Sequence, residues 1–251
     1  MARVDVPGRL GERLSRRGRL LQVALDFTGL GEAFGVALAL PRGGDRLILE
    51  AGTPLIKSAG MTSVRILRAL PGSHLVVADT KTADTGALEV GLAAEAGADA
   101  ATVLACAPRE TIEEAVREAE RRGVAVYADM IATHDPAREA ERLRELGVHI
   151  ALLHIGIDTQ RRLGITAAQL PQLIARVAGE FKGPIAVAGG VKPADVPKLV
   201  EAGASIIIIG SAITKAEDPA RATREALEAL ESKSSTHHRG PGHPGGLSGS
   251  R

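Results

Sequence analysis

The stretch VVADTKTADTGALE, Val76 to Glu89, sets three ionisable side chains directly behind a short apolar run: Asp79, Lys81 and Asp84. Side chains alternate faces along a strand, so Asp79 and Lys81 point the same way if the strand persists to Lys81, with Thr80 opposite. Asp84 falls where the chain should turn into the helix GALEVGLAAEAG. The unreactive alternative is a helix capped by Asp84 or Thr85 beside a solvated Asp79–Lys81 pair. Other runs end in chemistry too: Asp26, Glu50, Asp129 and His154 each close an apolar segment. Glu50 and Asp79 are hard oxygen donors, suited to a Mg2+ completed by substrate and water. Lys81 would add positive charge beside a developing oxyanion, and His154 can move protons near neutral pH. Such a set suits deprotonation next to a carbonyl, then protonation or carbon–carbon bond formation. Schiff-base chemistry fits less well, because Asp79 favours charged Lys81 over the free amine.

These residues need a frame that brings strand ends together. Eight apolar runs begin at Leu21, Leu47, His74, Ala100, Val124, His149, Pro184 and Ser205, separated by about 20 to 35 residues, the length of a strand, a helix and two loops. Between them lie helical segments such as Arg109 to Gly123, and the phrases EAGAD, ELGVH and EAGAS put Gly where a helix C-cap requires it. Near-continuous apolar strands alternating with helices predict a parallel sheet covered on both sides. Eight units in one chain predict α/β architecture as a single-domain (β/α)8 TIM barrel, whose active site lies at the C-terminal strand ends. Runs seven and eight end in AGGVKPAD and GSAIT. There Gly189, Gly190, Gly210 and Ser211 can offer backbone amides to the phosphate of a phosphorylated substrate.

The expected domain spans residues 20–231, behind an Arg-rich segment 1–19 read as a solvated leader or short covering helix. Residues 232–251, rich in Ser, Gly, Pro and His, are read as a disordered tail whose His237, His238 and His243 form no metal site. With 45% hydrophobic residues, a formal net charge of +1 and 2% aromatics, the 251-residue chain gives no sign of nucleic-acid or membrane partners. Cys106, the single cysteine, excludes an internal disulfide and reads as a buried or loop thiol. With no secretory segment or long apolar run, a cytoplasmic location is expected.

The segments LQVALD, ILEAGTPLIKSAG, VVADTKTADTGALE, VYADMIA, HIGIDTQ, AVAGGVKPADVPKLVEAGA and GSAITKAEDP carry a family resemblance. Together they resemble the 3-hexulose-6-phosphate synthase family of the orotidine-phosphate decarboxylase superfamily, almost continuously from Leu21 to Leu230. The D-x-K-x-x-D pattern at Asp79, Lys81 and Asp84 marks the superfamily; GTPLIK and HIGIDTQ mark the synthases. The resemblance implies a Mg2+-dependent, reversible aldol condensation of D-ribulose 5-phosphate with formaldehyde to D-arabino-hex-3-ulose 6-phosphate. It implies metal-associated Glu50 and Asp79, an enediolate-stabilising Lys81, an acid–base His154, and phosphate binding at Gly189, Gly190, Gly210 and Ser211. It also implies a homodimer in which Asp84 enters the neighbouring subunit's site. Thr80 stands where an apolar residue is more usual. 3-Keto-L-gulonate 6-phosphate decarboxylase is the enzyme alternative, but that family places an arginine where this chain has Ile157. A barrel kept as a non-catalytic scaffold is the alternative of another class.

Overall fold

The computed structural model describes residues 4–41 and 44–231. The segment 232–251 and its histidines lie outside the described residues. Eight strands run in sequence order around a closed parallel ring: β1 (Leu20–Leu25), β2 (Leu47–Ala51), β3 (Leu75–Thr82), β4 (Ala100–Leu104), β5 (Ala125–Asp129), β6 (Ile150–His154), β7 (Ile185–Ala188) and β8 (Ile206–Ile209). The ring closes through β1 and β8, with Leu20 opposite Ile206 and Val23 opposite Ile209. The protein is a (β/α)8 TIM barrel.

Two apolar cores follow from the two faces of each strand. One lies between sheet and helices and includes Val23, Leu49, Val76, Val103, Val126, Leu153, Val187 and Ile207. The other fills the barrel with Leu20, Ala24, Ile48, Val77, Ala125, Tyr127, Leu152 and Ile208 among others. Both faces are buried, which is why the strands read as unbroken apolar runs.

Of the two readings of the Arg-rich start, the short covering helix holds and the solvated leader does not. Its helix, Gly8–Arg17, places Leu10 at 0% exposure in the interior cluster, with Val6 and Leu14 packed against it. Arg9 reaches Asp99 at 3.2 Å and Arg13 donates to the Ser73 carbonyl at 2.9 Å, so the helix closes the floor of the barrel. The helix Leu30–Ala39 forms despite Gly31 and Gly35. Among the described residues no helix is long and apolar enough to cross a membrane.

At the floor, His149 is 3% exposed and its Nδ1 accepts the Val126 amide at 3.0 Å. Burial pushes its pKa from the ordinary 6.5 down to about 4. The unfolded chain therefore takes up a proton first as pH falls. The stabilisation is complete above 6.5 and drains away towards 4. Between pH 7 and pH 5 this group alone is expected to cost about 2 kcal/mol. Urea unfolding of the parent and of His149→Gln at both pH values checks it: the difference between the two proteins should shrink by that amount at the lower pH.

Candidate active site

The six ionisable residues expected at the strand ends meet at one mouth. Lys81 is the hub. Its Nζ lies 2.7 Å from Asp79 Oδ2, 2.9 Å from Asp79 Oδ1 and 3.0 Å from Asp129 Oδ2. Asp129 also faces His154, whose Nδ1 is 3.0 Å from Oδ2. A carboxylate only accepts, so Nδ1 carries the proton and Nε2 is left for a substrate. The Ile131 amide donates to Asp129 Oδ1 at 2.9 Å, fixing the carboxylate plane.

Simple alternation along β3 is not how Lys81 gets there. Between the pairs Ala78↔Ala101 and Thr82↔Val103 the ladder spans four residues on β3 against two on β4. Asp79, Thr80 and Lys81 bulge out opposite Thr102 alone, and Lys81 takes a left-handed φ of +48°. That conformation costs a non-glycine residue on the order of 1 kcal/mol or more. Thr102 clasps the bulge: its Oγ1 donates to Asp79 Oδ1 at 2.7 Å and accepts the Lys81 amide at 2.8 Å. Its carbonyl accepts from Thr80 Oγ1 at 2.7 Å, so the unusual Thr80 side chain serves the backbone of β4.

Burial works to lower the Lys81 pKa, but Asp79 and Asp129 outweigh it and hold the ammonium charged, as expected against a Schiff base. Burial likewise works to raise Asp129, and the His154 and Lys81 contacts bring it below the usual carboxylate range. Glu50 goes the other way: burial, then the nearby charges of Asp79 and Asp26, push it well above its ordinary value. Asp26, one residue past β1, is raised by burial and by Asp79. It sits tightly against Gly52, where a Cβ would come within 2.2 Å of its Oδ1.

Asp26, Glu50 and Asp79 thus crowd negative charge into one corner while Lys81 is engaged between Asp79 and Asp129. Among the described residues Glu50 has no cationic side chain in an ion pair; its hydrogen bond comes from the neutral Gln22 amide, Nε2 to Oε2, at 2.6 Å. A divalent cation between Glu50 and Asp79 fits that excess. No group of three or more His, Cys, Asp or Glu side chains among the described residues converges as a complete metal cage, so substrate and water would have to supply the remaining ligands of such a cation.

Gly189 and Gly190 carry φ of +112° and +67°, and the β6 loop presses on both. A Cβ would come within 2.4 Å of the Ile155 carbonyl at the first and 2.6 Å of Thr166 Cγ2 at the second. Gly210 joins this rim to the carboxylates, its Cβ position lying 3.7 Å from Asp26 Oδ2. Ser211 opens the short helix Ser211–Thr214.

Asp84 does not join its own site. It is exposed, and its Oδ1 accepts the Thr85 amide at 2.7 Å. Nor does the capping alternative hold: Thr85 occupies the N-cap in a left-handed conformation, without a side-chain capping bond. Cys106 is exposed in the turn after β4. With His134 it lines a cleft that includes none of the mouth carboxylates.

Sequence reasoning missed Thr53, Thr102, Gln22 and Tyr127. Thr53 donates to Asp79 Oδ2 at 2.7 Å, completing four donor contacts on that carboxylate with Thr102 and the two from Lys81. For Gln22 and Thr102 the available signal was a polar residue inside the apolar run of β1 or β4; Thr53, on the helix after β2, and Tyr127, on β5, carried none.

Residues 19–226 match the orotidine 5'-phosphate decarboxylase / HUMPS family. The chain belongs to this family. Among members, a 3-hexulose-6-phosphate synthase from Mycobacterium gastri is 38% identical over 211 residues, covering 84% of this chain and 99% of that protein. A bifunctional enzyme Fae/Hps from Archaeoglobus fulgidus is 35% identical over 214 residues, 84% of this chain and 52% of its own length. The chain therefore spans about half the length of such bifunctional relatives. A crystal structure of a 3-hexulose-6-phosphate synthase superposes with a TM-score of 0.77 at 36% identity, covering 84% of this chain and 99% of the other. A 3-keto-L-gulonate-6-phosphate decarboxylase structure from Vibrio cholerae gives 0.68 at 27%, covering 84% and 97%. Family members of both kinds are enzymes, which supports a catalytic protein over a scaffold.

Proposed function

We propose that this family member is a 3-hexulose-6-phosphate synthase, an aldehyde-lyase joining D-ribulose 5-phosphate and formaldehyde reversibly. The observation that carries the reading is Lys81 clamped between Asp79 and Asp129 with His154 on the same Asp129 carboxylate. Held charged, Lys81 opposes negative charge growing on an enediolate oxygen. His154, oriented through Nδ1 by Asp129, takes the proton from C1 at Nε2. The electron pair left at C1 forms the new bond to the formaldehyde carbon. The formaldehyde oxygen then accepts the proton that His154 holds, and the histidine returns to its starting state. Mg2+ held by Glu50 and Asp79 would polarise the substrate carbonyl. The backbone at Gly189, Gly190, Gly210 and Ser211 would receive the phosphate. Asp26 completes the negative corner.

The enzyme acts as a homodimer in this reading, with Asp84 reaching the partner's site. Its exposure supports that, as do Leu88 at 62% and Leu92 at 44% exposure on the adjoining helix Gly86–Glu95.

Ile157, 55% exposed at the start of the helix Ile157–Leu163, favours the synthase over the decarboxylase. An alkyl chain cannot supply a cation's hydrogen bonds to a departing carboxylate. The purified protein should make a hexulose phosphate from ribulose 5-phosphate and formaldehyde. With 3-keto-L-gulonate 6-phosphate it should release CO2 at least about a hundredfold more slowly. Efficient decarboxylation without condensation would reverse the choice.

A further inference from the structure

Below Glu50 a chain of polar side chains crosses the apolar interior of the barrel. Tyr127 on β5 donates its hydroxyl to Gln22 Oε1 on β1 at 3.2 Å, and Gln22 Nε2 donates to Glu50 Oε2 on β2 at 2.6 Å. Their exposures are 0%, 1% and 6%. Strands β1 and β5 stand opposite each other in the ring, so the tyrosine spans the lumen. Its surroundings are aliphatic, including Ala24, Val77 and Leu152. Apolar side chains of similar volume would fill that space without desolvating an amide and a phenol. The direction of the chain is informative. Both hydrogens point along the chain towards Glu50, and with Glu50 ionised, as a bound cation requires, the Gln22 amide cannot turn over without setting its carbonyl oxygen against a carboxylate oxygen. With Oε2 bonded to Gln22, Oε1 is the Glu50 oxygen free of that bond.

We infer that Gln22 and Tyr127 are positioning residues for Glu50, holding one carboxylate oxygen from below so that the other is presented singly to a divalent cation. The inference rests on the metal reading of Glu50 given above. Tyr127 acts at one remove: it keeps the sense of the Gln22 amide, and Gln22 keeps the carboxylate plane. Hydrogen bonds behind a metal ligand characteristically change affinity by about 10- to 100-fold when they are removed.

The experiment is Mn2+ binding to the purified full-length protein, followed by electron paramagnetic resonance, with thermal unfolding recorded alongside. Four variants are compared with the parent: Glu50→Gln, Gln22→Met, Tyr127→Phe and Ile150→Val. The last loosens the same interior without touching the chain. Gln22→Met is expected to weaken Mn2+ binding by about 10- to 100-fold and Tyr127→Phe by about three- to tenfold. Ile150→Val should keep the parent's affinity, which separates positioning from general loosening of the core. Binding by folded Gln22→Met and Tyr127→Phe within about twofold of the parent, while Glu50→Gln loses it, would overturn this inference alone. A parent that binds no Mn2+ would overturn both the metal reading and the inference. Should Gln22→Met not fold, Tyr127→Phe decides, since it lacks only one oxygen: undiminished affinity there rejects the proposal.

Discussion

Asp79→Asn is expected to lower kcat for condensation by about a thousandfold or more. Asp79 is the carboxylate on which the two positive elements of the proposed site converge. Its oxygens receive Lys81 at 2.7 and 2.9 Å, Thr53 at 2.7 Å and Thr102 at 2.7 Å. An asparagine keeps the volume but offers one accepting oxygen in place of two. It turns an NH2 towards donors and removes the charge that a cation and Lys81 share. The bulge should survive, because the Lys81 amide still bonds Thr102 and Thr80 still bonds the β4 backbone. A loss of only about 1 to 3 kcal/mol in stability is expected, the cost of one unsatisfied buried contact. Steady-state assays with ribulose 5-phosphate and formaldehyde, beside thermal unfolding, separate the two effects. Exhaustive chelation of the parent should reproduce the activity loss, and added Mg2+ should restore it. Demetallated protein with full turnover would remove the cation from the proposal, and Asp79→Asn within tenfold of the parent would remove Asp79 from the chemistry.

Mixing two inactive homodimers should restore activity, the second large effect. Lys81→Ala removes the ammonium from its own mouth. Asp84→Ala removes a carboxylate that is exposed and, among the described residues, bonded to the adjacent Thr85 amide. If Asp84 serves the partner's Lys81, each homodimer is expected to fall at least about a hundredfold below the parent, the loss of one charged group at the reacting centre. Random exchange of equal amounts then yields mixed dimers in half of the population. One site of each mixed dimer carries both defects and the other neither, so activity should climb to about a quarter of the parent's. Native mass spectrometry with one isotopically labelled partner establishes that exchange occurred. Exchange without recovery would confine Asp84 to its own subunit. An Asp84→Ala homodimer with parental activity would take it out of the reaction.

The strand frame was legible because both faces of each strand are buried, so the apolar runs from Leu21 to Gly210 carry few polar residues, Gln22 and Thr102 among them. Ladder ends then followed from chain order, and the mouth residues with them: Asp26, Glu50, Asp79, Asp129 and His154 each close an apolar run. Local reading was weaker wherever a residue's partner is distant along the chain. By composition the Arg-rich start reads equally as a solvated leader or a covering helix; burial of Leu10 decides for the helix, because an open floor would leave the interior cluster wet. Lys81 was placed at the mouth by alternation, whereas a bulge clasped by Thr102, 21 residues away, is what turns it inward. Thr85 occupies the N-cap position, but its side chain makes no capping bond.

What the sequence determined by itself is the period of strands and helices, the family, and the identity of the charged groups at one end of the barrel. These depend on side-chain types and short spacings, which survive without knowledge of what touches what. Only the tertiary structure decided which donors each carboxylate meets. Gln22 and Tyr127 are 105 residues apart and Lys81 and Asp129 lie on different strands, so closure of the ring alone sets those distances. Burial inside that ring then shifts the carboxyl pKa values, raising Glu50 and Asp26, while His154 and Lys81 hold Asp129 down. A carboxylate's pKa depends on the water excluded and the charges within a few ångströms of it, and neither is written in the spacing of residues along the chain.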